Sequence, residues 1–226
     1  MTNLREIETI TGRKNGPRPE IEPANFFVGE ITDQKSFELV MKLRAKGYRV
    51  WGEVNGELTD EYDHLAKSRS FAVFDGGKEV PVGTVRLIRE KTPTGLEVRA
   101  PIDAMWLMKV EGKWPHELLG KEAAEMSMYT IDADYRRFGP EITKLLFEAA
   151  ENSAGNNVLI YGLMQDFVRK GVERAGKVCD CVEEARLNLK DSEVKKYCQR
   201  FSSYFLKDPC PHLYIMYSPG NSPHGR

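Results

Sequence analysis

The sequence predicts an α/β (α+β) fold, with strands and helices mixed along one chain, and two stretches carry most of that expectation. Residues 122–147 read EAAEMSMYTIDADYRRFGPEITKLLF, so strand-like alternation meets a polar turn with paired arginines before Gly139-Pro140 opens an apolar helical repeat. Residues 71–74 and 80–88 are strand-like runs separated by Asp75-Gly76-Gly77, which is expected to supply the positive-φ positions of a tight hairpin. At 226 residues, one sizeable core is expected, because two full domains would leave both halves small. The expected organisation is an N-terminal arm over 1–24, a single domain over 25–217 and a frayed tail over 218–226.

Within the central unit, a two-residue period places Glu125, Ser127, Tyr129 and Ile131 on one face and Ala124, Met126, Met128 and Thr130 on the other. One carboxylate is thereby expected among apolar neighbours. Beyond the turn, Pro140 has the φ suited to a first helical position, and Ile142, Leu145, Leu146 and Ala149 follow at helical spacing. The free N–H groups and positive dipole end of that helix favour phosphate at the turn.

The other elements follow in order. The arm is polar, carries Pro17, Pro19 and Pro23, and has no sustained period. Residues 26–31 form a short apolar strand; Thr32 or Asp33 caps a helix with Phe37, Val40 and Met41 on one face, and Gly47 is expected to stop it. A polar loop over 51–69 holds Glu53, Glu57, Asp60, Glu61 and Asp63, and Pro81 suits an edge or a bulge near the start of its strand. Residues 92–121 form a long connection containing Met105, Trp106, Leu107, Met108 and Trp114, which either lines a channel for an aliphatic chain or covers the sheet. Residues 157–164 read as a buried strand. A helix over 165–175 should turn Phe167, Val168, Gly171, Val172 and Ala175 inward and close at Gly176. A further helix is expected over 191–206 and a last strand over 213–217.

Charged residues make up 30% of the chain and the net charge is -1, so nothing global argues for nucleic acid as a partner. No apolar run reaches membrane-spanning length and no basic-then-apolar leader opens the sequence, so a cytoplasmic protein is expected. Cys179, Cys181, Cys198 and Cys210 lie in the last quarter; Cys-x-Cys differs from the usual zinc knuckle, and reduced thiols without a metal are expected.

The order of elements resembles the GNAT acyltransferase fold, a central twisted mixed sheet flanked by helices. Asp60-Glu61-Tyr62-Asp63, Gly83-Thr84-Val85-Arg86-Leu87 and Glu125-Met126-Ser127 narrow the resemblance to its autoinducer-synthase branch, across residues 26–176. The lactone synthases of that branch carry Asp-x-Phe-Asp, Gly-x-x-Arg-Leu and Glu-x-Ser-Arg. Met128 stands where they carry arginine, so the sequence looks more like a long-chain N-acyl amino acid synthase, of the kind that acylates tyrosine from an acyl carrier protein thioester. Arg136-x-x-Gly139 partly matches the GNAT pyrophosphate loop, but Glu141 fills a small-residue position there. That departure suits a carrier-borne phosphopantetheine arm, which presents less phosphate than coenzyme A.

The resemblance implies direct aminolysis with no permanently bound cofactor. No Gly-x-Ser-x-Gly elbow is present and no cysteine adjoins the central unit, so the chemistry needs a base, an oxyanion stabiliser and placement of two substrates. Glu125 is the candidate base, with a pKa expected to be raised by apolar surroundings; the alternative is a solvent-facing group or a partner of Arg86. Backbone N–H groups near Tyr129 and Thr130 would polarise the thioester carbonyl if the strand bulges, as it does in the resembled fold. Asp60, Asp63 and Arg86, with Ser127, belong at the amino acid acceptor pocket or brace it, the alternative being that Arg86 forms a structural ion-pair network with Asp60 and Asp63, while Met105, Trp106 and Met108 would meet the acyl chain. Arg136, Arg137 and Gly139 would receive the pantetheine arm. With Lys144, Arg169, Lys170, Arg174 and Lys177, the two arginines would form a basic patch for an acidic acyl carrier protein. Competing readings are a homoserine-lactone synthase, a GNAT using acetyl-CoA, and a non-catalytic acyl- or carrier-binding module.

Overall fold

The computed structural model describes residues 25–49, 68–89, 123–155, 158–182, 192 and 212–221. In chain order these give β1 (Phe26–Glu30), α1 (Gln34–Arg49), β2 (Ser68–Asp75), β3 (Val80–Arg89), β4 (Ala123–Ile131), a 3-10 helix (Ala133–Phe138), α2 (Gly139–Ala154), β5 (Leu159–Met164), α3 (Asp166–Arg174), β6 (Val178–Cys181) and β7 (His212–Tyr217). The strands form one sheet in the order β1-β2-β3-β4-β5-β7-β6. Among the described strands only the β4–β5 pair is parallel. Parallel neighbours need a crossover, and α2 supplies it.

Register divides the sheet into two faces. Phe71, Val85, Leu87, Ala124 and Met126 pack with Ile142, Leu146, Phe147 and Ala150 of α2 in the main apolar cluster. On the opposite face α1 lies across β3 and β4, with Val40 and Leu43 buried beneath it. Asp33 caps α1 as expected, its Oδ1 accepting the Ser36 N–H at 2.9 Å.

Four local expectations are corrected. Gly47 does not end α1, which continues to Arg49; a Cβ there would sit 2.3 Å from Thr130 Cγ2, so glycine lets the helix approach the sheet. In the hairpin the positive φ falls on Glu79, at 52°, and on neither glycine of the turn. The N–H groups of Lys78 and Glu79 both donate to the Asp75 carbonyl, each at 2.9 Å, so the turn is wider than a two-residue loop. Phe167 is 44% exposed on α3, while Val172 is the residue of that helix that is fully covered. Finally, β6 was not anticipated: Val178-Cys179-Asp180-Cys181 has no apolar alternation, and among the described strands it pairs with β7.

Pro81 takes the place expected of it. Pairing shifts from Val73 with Gly83 to Phe74 with Pro81, so Val82 is an extra residue in β3. The expected arm, residues 51–67 of the expected loop, the 92–121 connection and the helix over 191–206 (Ser192 apart) lie outside the described residues, while Ser68 and Arg69, expected to end that loop, instead begin β2 and pair with Ile88 and Leu87.

Candidate active site

The central feature of the site is a bulge in β4. Thr130 pairs with Thr84 and Ser127 with Arg86, so Met128 and Tyr129 together oppose the single residue Val85. Met128 carries the extra length at φ 52°, a left-handed conformation that a methionine rarely adopts and that costs about 1–3 kcal/mol. The expected split of β4 into faces is corrected by this bulge. Each residue beyond it moves to the opposite side: Thr130 joins Glu125 and Ser127, while Tyr129 and Ile131 join Ala124 and Met126 against α2.

Beside the bulge, β4 parts from β5. The two strands pair only through Ala123, Ala124 and Glu125 with Leu159, Ile160 and Tyr161. A Cβ at Gly162, the next residue of β5, would meet the Met126 carbonyl at 2.9 Å. The strands are therefore still in close approach one residue past the last pair, and the ladder itself ends before the bulge.

The face beneath α1 mixes polar and apolar groups: Glu125 is flanked in the sheet by Ile88 and Tyr161, both fully buried, and polar side chains lie beyond them. Glu125, at 4% exposure, shares that face with Ser127, Thr130, Thr84, Arg86 and Ser70, all buried or half-buried. Arg86 is fully buried and its Nε donates to Ser127 Oγ at 3.1 Å. Arg44, also fully buried, reaches down from α1 and donates from Nη2 to Ser70 Oγ at 3.0 Å. Taking a guanidinium out of water costs several kcal/mol even after relaxation, whereas apolar side chains would fill the same volume without that penalty. Two buried arginines on one face are hard to explain by packing alone. The sequence reading missed Arg44, although the signal was there: the apolar stripe Phe37, Val40 and Met41 places its next inward position at residue 44.

Tyr129 faces α2. Thr143 Oγ1 donates to the Gly139 carbonyl at 2.6 Å, which commits its proton and leaves the Tyr129 hydroxyl to donate to Thr143 Oγ1 at 2.7 Å. Burial pushes the Tyr129 phenol up to about 12. The side chain thus ties the bulge to the second turn of α2.

The polar turn after β4 is the 3-10 helix, with Arg136 and Arg137 exposed in its last turn. The Arg137 guanidinium lies 4.7 Å from the Phe138 ring centroid. Pro140 occupies the first turn of α2, Glu141 adds a carboxylate there, and no side chain caps the helix. The Gly139 N–H is used internally, donating to the Arg136 carbonyl.

The expected basic patch is smaller than its sequence suggests, because several members are paired with carboxylates. Arg169 donates to Asp166 at 2.5 Å and to Glu173 at 2.6 Å, and Lys170 lies 2.6 Å from Asp166. Lys177 is buried against Glu151 and Ser218, each at 2.7 Å, and Lys144 lies 3.9 Å from Glu148. Arg136, Arg137 and Arg174 are exposed members of the patch.

Asp60, Asp63, Met105, Trp106 and Met108 lie outside the described residues, as do Cys198 and Cys210. Among the described residues no group of three or more His, Cys, Asp or Glu side chains is arranged to hold a metal ion. Cys179 is half-buried, and burial pushes its thiol up to about 12. No helix of the described residues is long and apolar enough to cross a membrane.

No protein-family model matches the chain, and no curated protein matches it in sequence. Solved structures do match in three dimensions. FeeM, an N-acyl amino acid synthase from uncultured soil microbes, superposes with a TM-score of 0.53 at 12% identity, covering 86% of this chain and 91% of that one. MesI, a CoA-dependent acyl-homoserine lactone synthase, gives 0.52 at 16% identity with the same coverage of 86% and 91%. ElaA of Escherichia coli gives 0.50 at 10% identity, covering 85% and 99%. The chain has the GNAT acyltransferase fold.

Proposed function

We propose that this protein is an N-acyltransferase that moves a fatty acyl group from a carrier-protein thioester to the α-amine of an amino acid. The observation that carries the reading is the bulge at Met128 and Tyr129, placed where β4 leaves β5, with Glu125 and Arg86 buried on one side of it. A bulge turns backbone N–H groups out of the ladder, and such donors stabilise the oxyanion that forms as an amine attacks a thioester.

In the proposed reaction the acyl thioester lies along the open edge of β4, its carbonyl oxygen toward the Tyr129 and Thr130 N–H groups. Glu125 takes a proton from the acceptor ammonium, directly or through water. The amine then attacks the carbonyl, the C–N bond forms and the C–S bond breaks; the nitrogen's second proton passes to the departing sulfur, so the carrier leaves as a thiol, and Glu125 returns its proton to solvent. Arg86 holds the acceptor carboxylate or orients the polar face around it, with Ser127 as its hydrogen-bond acceptor. Asp60 and Asp63 complete the acceptor side in this reading, and Met105, Trp106 and Met108 meet the acyl chain. Arg136, Arg137 and Gly139 receive the phosphopantetheine arm; acyl carrier protein is the partner and the cytoplasm the compartment. Tyrosine is the first acceptor to try, because the family resemblance points to it.

The test is mass spectrometry of products formed by purified protein from acyl carrier protein thioesters and single amino acids. An N-acyl amino acid supports the reading. An acyl lactone formed only with S-adenosylmethionine would move the protein to the lactone synthases, and no product with any thioester would leave a non-catalytic binding module. Glu125→Gln is expected to retain the fold and lower turnover by about 10²-fold or more. Turnover within a few-fold of wild type would remove Glu125 from the mechanism.

A further inference from the structure

A second cluster, outside the reacting groups, fixes the turn that carries Arg136 and Arg137. Tyr135 is 5% exposed and its hydroxyl donates to Asp75 Oδ2 at 2.5 Å. Asp75, equally buried, closes the β2–β3 hairpin: its Oδ1 accepts the Gly77 N–H at 3.1 Å, and its carbonyl accepts two further N–H groups of the turn. Lys78 Nζ donates to the Tyr135 oxygen at 3.0 Å. The Tyr135 ring meets Phe26 edge-on at 6.2 Å, and Phe26 meets Phe138 at 5.3 Å. From the opposite side Lys46 of α1 binds Asp132 at 2.8 Å and Asp134 at 3.5 Å.

A short 3-10 helix has poor internal hydrogen-bond geometry and takes its orientation from its surroundings. Here the surroundings act on both flanks, and the link to the hairpin is directional as well as apolar. A phenylalanine at 135 would satisfy the apolar packing; the hydroxyl adds a charge-assisted hydrogen bond that fixes the rotation of the turn. Arg136 and Arg137 are the next two residues, so that rotation sets where their side chains leave the backbone.

We propose that Asp75 and Tyr135 are positioning residues for the thioester donor, holding the 133–138 turn so that Arg136, Arg137 and the first turn of α2 meet the phosphopantetheine arm together. This rests on the donor placement proposed above. Neither residue touches the reacting atoms, so loss of the link acts on donor affinity and leaves the chemical step intact.

The experiment is steady-state kinetics of Tyr135→Phe and Asp75→Asn with acyl carrier protein thioester as the varied substrate, beside amide hydrogen exchange over residues 133–139. Each variant is expected to raise the donor KM about five- to tenfold, to leave kcat and the acceptor KM within about twofold, and to speed exchange across the turn. A faster-exchanging turn with an unmoved donor KM overturns the inference, as does unchanged exchange or a fall in kcat together with both affinities. No turnover by the wild-type protein overturns the donor reading and this inference with it. Turnover with an unmoved donor KM overturns this inference alone.

Discussion

At the residue scale, Tyr129 shows how the bulge converts sequence position into environment. Simple alternation would set it beside Glu125, but the extra residue at 128 turns it toward α2, where its hydroxyl finds Thr143. Thr143 has committed its own proton to Gly139, so a phenolate at 129 would receive no hydrogen bond from that partner. The consequence is a pH-dependent stability term with a definite sign. The folded-state pKa is raised from 10.0 to about 12, so the stabilisation is whole below about pH 10 and is lost as pH climbs from 10 toward 12. A two-unit shift corresponds to a loss on the order of 3 kcal/mol. Urea unfolding of wild type and Tyr129→Phe across that interval should show the wild-type advantage shrinking with pH. Parallel curves would mean that Tyr129 ionises as freely in the folded protein as in the unfolded chain.

At the scale of elements, two glycines decide how closely helices reach the sheet, and they do so on opposite faces. Gly83 admits α2, since a Cβ there would stand 2.4 Å from Ile142 Cγ2; Gly47 admits α1 over Thr130. Glycine inside a helix ordinarily costs about 1 kcal/mol relative to alanine. Gly47→Ala is nevertheless expected to destabilise by about 1–3 kcal/mol, because overpacking against Thr130 outweighs the gain in propensity. Thr130→Ser removes the opposing methyl, and in that background Gly47→Ala should cost much less. A double-mutant cycle in chemical denaturation checks this, and additive effects would place the clash elsewhere. The same contacts explain what could be read in advance. The Glu122-to-Phe147 grammar was legible because alternation, the Gly139-Pro140 boundary and the helical repeat agree locally, and the hairpin was legible for the same reason. Glu125 and Arg86 were named from their motifs. The bulge was hidden because Met128 has no local preference for positive φ, and what forces it there is pairing with β3. Gly47 read as a helix stop because its clash partner is far away in sequence, and Arg44 was overlooked because arginine is normally assigned to solvent.

At the scale of the whole molecule, the question is where a near-neutral protein would present charge to an acidic carrier. The net charge of -1 says little, since steering depends on local fields. Side-chain pairing redistributes the cations: Arg169 and Lys170 share Asp166, Arg169 also holds Glu173, and Lys177 is buried on Glu151. Those three therefore project little net field, although the sequence places them on or near the same helices as the rest. Arg136 and Arg137 are exposed at the end of the 3-10 helix, directly before α2, and should dominate encounter with the carrier. Arg136→Glu/Arg137→Glu is expected to raise the KM for acyl carrier protein by about tenfold or more at low salt, with the gap narrowing as added salt screens exposed charges. Arg169→Ala/Glu173→Ala, which removes a cation and a carboxylate it pairs with, should leave that KM within about twofold, because the two charges cancel at a distance. Initial rates against carrier concentration at two ionic strengths separate the sites. An equal effect from the charge-neutral change on α3 would mean that the carrier contacts that helix directly, and no effect from the 136–137 reversal would place its docking surface elsewhere on the molecule.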